Sequence, residues 1–157
     1  MRGVYTGSVL HTVVSAATNM WTLTAPTNCV IEIYEASIKN LTNETNEQLQ
    51  YGMFRATTAG VGTATQITLK KTESLDSAAP TISGVSCLVK SYATTQPILE
   101  ADPVDPDGGS SLAGYLYDPS PETRYVLEGQ GILTLRIVTA TFAAIDALAT
   151  LKFRIIG

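Results

Sequence analysis

The sequence predicts an all-β fold, a jelly-roll-like antiparallel β-sandwich of about eight to ten strands in a single domain spanning residues 1–157. Three observations carry that expectation. Apolar and polar residues alternate with a period of two over many short stretches, strong turn chemistry separates those stretches, and no segment sustains the three-and-four spacing of a long amphipathic helix.

Residues 4–14 and 20–24 are the first strand candidates, rich in Val, Thr and aromatic side chains that suit a pleated surface. From Val30 to Ile38, Ile31 and Ile33 share one face, whereas Ala36 and Ile38 fall on the opposite parity. A bulge near Tyr34 and Glu35 restores a common face, because one extra residue shifts the alternation. Residues 48–57 align Leu49, Tyr51 and Met53, and further candidates are 65–71, 82–90, 113–117 and 125–128.

The C-terminal third gives the clearest pattern. Leu133, Leu135 and Ile137 oppose Thr134 and Arg136, and Ala147, Ala149, Leu151, Phe153 and Ile155 alternate with Leu148, Thr150, Lys152, Arg154 and Ile156. Between them the Ala-rich residues 140–149 have room for a single helical turn. Ala25-Pro26-Thr27-Asn28, Gly60-Val61-Gly62, Ala79-Pro80 and Asp105-Pro106-Asp107-Gly108-Gly109 read as turns. Two connections look long, 40–47 and 96–112, and long loops on a compact scaffold tend to carry function.

Composition narrows the function classes. Hydrophobic residues make up 45% and charged residues 15%, below the quarter or so of an ordinary domain, so much of the surface is Thr, Ser, Ala and Gly. Such a surface enters protein contacts with little charge to desolvate. A net charge of −4, with Lys70-Lys71 as the longest basic run, argues against nucleic acid as a partner. No apolar stretch has the length of a membrane span or of a signal-peptide core, which predicts no membrane partner and synthesis in the cytoplasm of the producing cell. Cys29 and Cys87 stand far apart, without metal-site spacing, and read as buried thiols, with a disulfide between them as the alternative.

No constellation specifies a reaction, and neither an enzyme nor a cofactor is expected. The single histidine, His11, lies in an alternating run with no nucleophile turn in the chain, which fits a strand residue better than a triad base. The acidic stretch Asp102 to Asp107 is the best cation candidate. Aligning Gly108 with the EF-hand glycine nonetheless puts Pro103 at the first ligand position and Gly114 where the bidentate Glu belongs, so it reads as a solvated, proline-stiffened loop. Glu32 and Glu35 show no spacing that separates a glycosidase pair from ordinary surface charge. Asn40-Leu41-Thr42 and Asn43-Glu44-Thr45 are sequons in form, and without a secretory signal they read as a polar loop.

The order of segments adds a resemblance. An opening strand leads into Trp21-Thr22-Leu23-Thr24-Ala25-Pro26 and Val30-Ile31-Glu32-Ile33-Tyr34-Glu35-Ala36-Ser37-Ile38. Later come Gly114-Tyr115-Leu116-Tyr117-Asp118-Pro119-Ser120-Pro121-Glu122-Thr123-Arg124, then Gly131-Ile132-Leu133-Thr134-Leu135-Arg136 and a terminal Leu151-Lys152-Phe153-Arg154-Ile155-Ile156. This order resembles small jelly-roll proteins of bacteriophage virions and is similar to capsid decoration, or cement, proteins. The stretch from Ala59 to Tyr92 and the acidic loop depart from it.

The resemblance implies a structural protein on the outer surface of a phage head, commonly a homotrimer at threefold positions, bridging subunits of the major capsid protein. It brings no catalytic residues, and Pro119, Pro121, Glu122 and Arg124 carry over only as a structural corner. A trimer would cover outward apolar residues such as Leu148 and Ile156. The alternative expectation is a tail-fibre or receptor- and glycan-binding β-sandwich module, against which the segments 40–47 and 96–112 contain no aromatic residue.

Overall fold

Two long strands organise the chain, because neither contains a glycine or proline in its middle to stop it. The structure, a computed structural model, describes residues 3–42, 46–58, 64–72, 88–92 and 98–156. In it β1 (Gly3–Thr24) and β11 (Ile132–Ile156) run antiparallel along each other from Gly3 opposite Ile155 to Thr24 opposite Ile132. Between His11 and Trp21 their register shifts repeatedly, and there both strands bend from one layer into the other.

Each half of this ribbon nucleates one layer. In the first, β2 (Val30–Asn40) flanks the second half of β11, while β5 (Lys70–Lys71) pairs with Tyr5 and Thr6 of β1. Two short strands, β9 (Tyr115–Tyr117) and β10 (Val126–Leu127), edge β2. In the second layer, β3 (Gln48–Thr58) flanks the first half of β11. There β4 (Ala64–Gln66) pairs with β6 (Leu88–Tyr92), and β6 with the end of β1. The edge of β3 carries β7 (Ile98–Leu99) and β8 (Asp105–Ser110). All pairings are antiparallel, and the all-β sandwich expected from the alternation is what forms.

The layers face one another across a single buried cluster. Tyr5, Ile31, Ile33, Ile38, Leu151 and Phe153 of the first layer meet Trp21, Leu23, Met53, Leu133 and Leu135 of the second. Trp21 Nε1 donates to the Thr150 carbonyl of the opposite layer at 3.3 Å, and the Tyr51 and Tyr115 rings sit 6.0 Å apart across the interior. In β2 the expected bulge is present: Lys152 pairs with Glu35 and Phe153 with Ile33, so Tyr34 is the extra residue. Ile31, Ile33, Ala36 and Ile38 are accordingly all buried.

Three expectations need correction. The candidates 4–14 and 20–24 are one strand, because bulges carry the pairing through Ser15–Thr18 where alternation lapses. The Ala-rich residues 140–149 are extended within β11 instead of forming a helical turn, since pairing with β1 and β2 satisfies their backbone. The stretch Asp105–Ser110, read as a loop, is an edge strand paired with Gln48–Met53. Its Pro106, which lacks an N–H, is tolerated because the strand lies at an edge. Residues 82–87 and the Gly60-Val61-Gly62 and Ala79-Pro80 turns lie outside the described residues. Among the described residues no helix is long and apolar enough to cross a membrane.

Candidate functional site

The bend where β1 and β11 change layer is the candidate site, and one carboxylate assembles it. Asp146 Oδ1 accepts the Val13 N–H at 2.9 Å, its carbonyl accepts the Leu41 N–H at 2.8 Å, and its own N–H donates to Thr42 Oγ1 at 3.0 Å. Thr42 in turn donates from both its N–H and its hydroxyl to Asn40 Oδ1, at 2.9 and 3.0 Å, an Asx turn that holds the exit of β2. On the far side, Glu47 accepts the Ala143 N–H at 2.9 Å through its carboxylate and exchanges bonds with Ser111. Backbone groups that a bend would expose to water are thereby bonded within the chain.

The large side chains left facing outward are aliphatic, set among the exposed Thr12, Ser15 and Thr141. Val13 is 72% exposed, and Leu10, Leu41 and Leu112 are each about half exposed. Leu10 pairs with the half-buried Leu148 across the ribbon. Val13 also has φ +55°, the left-handed region in which a β-branched residue is a steric outlier. A residue that neither packs inward nor suits its backbone is poorly explained by folding alone, and strain of this kind concentrates at binding surfaces.

The residues singled out from the sequence lie elsewhere. Pro119, Pro121, Glu122 and Arg124 surround a 3-10 turn at Pro121–Thr123. Arg124 stacks over the Tyr34 ring at 3.9 Å and pairs with Glu32 at 3.4 Å, which pins this corner to the bulge of β2. The Glu122 carboxyl is held below its usual range by its own backbone N–H and the Ser120 hydroxyl. His11 Nε2 donates to the Met20 carbonyl at 2.7 Å, tying together the two arms of β1 where they fold over. Cys29 is a buried free thiol, and Cys87 lies outside the described residues.

The acidic segment contributes to the interior edge. Asp105 Oδ2 accepts the Tyr115 hydroxyl at 2.6 Å, and Asp107 Oδ1 accepts the Gly108 N–H at 2.7 Å. Burial, then this bond to Asp105, drives the Tyr115 phenol well above its ordinary range, and burial followed by the charge of Asp107 raises Tyr51 to about 12. Among the described residues no three His, Cys, Asp or Glu side chains converge as a metal site.

Sequence reasoning missed the bend. Its one available signal is that Asp146 is the only acidic residue after Glu128, set in an otherwise apolar run where a carboxylate needs donors. No protein-family model, curated protein or solved structure matches the chain.

Proposed function

We propose that the protein is a structural component of a phage head, a decoration protein that docks on the outer surface of the shell as a homotrimer and bridges major capsid subunits. The observation that carries this reading is the bend, an exposed aliphatic surface on a backbone already fixed by Asp146, Asn40 and Glu47. Docking such a surface buries apolar area without first having to order a loop.

The magnitudes favour a multivalent protein. Fully burying a Leu or Val is worth about 1.5–3 kcal/mol, so completing the burial of four half-exposed side chains yields roughly 4 kcal/mol per copy. Association costs roughly 4–15 kcal/mol, which one bend barely offsets. Three linked copies share one association cost, and their combined contact of about 12 kcal/mol then exceeds all but the upper end of that range.

The test is co-sedimentation of the purified chain with heads assembled from the major capsid protein of the same genome. The wild type is expected to pellet with heads and the Val13→Asp, Leu41→Asp double variant to stay in solution. Light scattering on the wild type should give a trimer. A monomer that never pellets with heads refutes the reading.

A further inference from the structure

We infer that a second surface, the cleft between the open edges of the two layers, is a binding site for a neutral pyranose saccharide. The cleft has a volume of about 640 Å³, within the usual range for small-molecule sites and roomy enough for a disaccharide. Its walls come from β3, β8, β9, β10 and the corner between the last two, where the short edge strands leave the sandwich unclosed. It is remote from the bend, since Arg55 pairs opposite Leu133 and Val126 opposite Glu32, at the other ends of those strands.

The lining suits a sugar in three respects. Tyr117 lines it together with the exposed Leu116 and Val126, which gives an apolar surface for the C–H face of a pyranose ring, while the Tyr125 ring beside them carries the Arg55 guanidinium 5.6 Å from its centroid. Hydrogen-bonding groups flank that surface. Arg55 uses Nε to donate to Tyr125 Oη at 2.6 Å, leaving its two terminal nitrogens for a ligand, and Asp105 engages Tyr115 through Oδ2 alone. The Asp118 carboxylate also lines the cleft, so hydroxyls meet both a planar donor and carboxylate acceptors.

Charge decides among ligand classes. Arg124 is already committed to Glu32 and Tyr34, which leaves the Arg55 guanidinium, held by Tyr125 and acted on by Glu100 and Glu128 from outside the lining, to share the cleft with Asp105 and Asp118. Two carboxylates against one guanidinium repel phosphates, sulfates and uronates, and they do not make the strong field a polycation requires. A neutral polyol fits both constraints.

The cleft is also held in shape before any ligand arrives. The Arg55–Tyr125 and Tyr115–Asp105 bonds span the two layers, and the Tyr125 N–H donates to Tyr117 Oη at 2.8 Å. Binding therefore costs little reordering of the walls. The inference does not depend on the head-binding reading, and a protein docked by its bend retains this cleft for a second contact.

Saturation-transfer NMR tests it, with the full chain and glucose, galactose, mannose, N-acetylglucosamine, maltose and lactose as probes. At about 10 mM sugar, transfer to ring C–H protons of at least one probe is expected, with a dissociation constant in the millimolar range or below. The Leu116→Ser, Asp118→Asn double variant alters two exposed side chains that make no bond across the layers, so it should lose about tenfold in affinity at an unchanged melting temperature. No transfer to any probe overturns the inference, as does transfer that the double variant leaves intact. Stronger binding of inorganic phosphate or glucuronate than of the neutral sugars overturns it equally.

Discussion

Replacing Val13 with Asn should make the protein more stable and a worse ligand for heads. Val13 sits at φ +55°, and the left-handed region costs an L-residue roughly 1–2 kcal/mol, with β-branched side chains at the unfavourable end. Asn tolerates that region because its short side chain bonds locally. Little of the Val side chain is packed, so its removal forfeits only about 0.5 kcal/mol of burial, and the bond to Asp146 survives because the donor is the backbone N–H. The net gain is about 1 kcal/mol, which for a domain of this size raises the melting temperature by roughly 2–4 °C. Val13→Gly should fall between the two, since relief of strain is partly cancelled by about 0.5–1 kcal/mol of added chain entropy. Thermal melts give the first readout and co-sedimentation with heads the second, where loss of the exposed isopropyl group is worth about tenfold in affinity per copy. A melting temperature that stays level or drops refutes the strain argument. Unchanged head binding in the Asn variant refutes the role of the bend.

Three further outcomes follow from the interior and the corner. Thr22 and Thr134 bury their hydroxyls against each other at 3.1 Å, so Thr134→Val alone should cost about 1–3 kcal/mol by orphaning Thr22. The Thr22→Val, Thr134→Val pair should recover most of that loss in urea melts, and additive costs would refute the pairing. Arg124→Ala should destabilise by about 1–3 kcal/mol through loss of the Tyr34 stack and of the Glu32 partner. Arg124→Lys should restore only part of this, because an ammonium cannot stack as a planar guanidinium does, and full rescue would count against the stack. Tyr51 and Tyr115 have phenols raised in the folded state, so their contribution is complete below pH 10, the ordinary phenol value. It is lost as pH climbs through about 12, the folded value for Tyr51, because the unfolded chain ionises first. Urea midpoints followed against pH, with phenolate absorbance alongside, should show stability falling only above pH 10. A decline beginning near neutrality would contradict this.

What the sequence discloses here is governed by whether local pattern or distant pairing decides a segment. The β2 bulge was legible because one buried face forces the parity switch between Ile33 and Ala36 to be absorbed somewhere, and Tyr34 is where it happens. The continuity of β1 through Ser15–Thr18 was not legible, because a strand that bends between layers exposes both faces there and leaves no alternation to read. In β8 the signal pointed the wrong way. Asp-Pro-Asp-Gly-Gly has the composition of a turn, and only the neighbouring β3, which offers it six paired positions, makes it a strand.

The same distinction explains why neither surface showed in the sequence. A Val in an alternating run predicts ordinary strand dihedrals, and nothing near Val13 announces that Asp146, 133 positions away, will capture its N–H and turn it outward. The cleft was hidden by adjacency. Its carboxylate Asp105 lies in a segment without aromatic residues, which argued against a sugar site when each loop was judged by its own composition. Folding sets that segment beside the corner carrying Tyr117 and Tyr125, so the aromatic surface and the carboxylate come from different strands. A site spread across strand edges is invisible to any reading that moves along the chain, and it becomes visible once Tyr115 bonds Asp105 and Arg55 bonds Tyr125, because those two bonds fix which edges face each other.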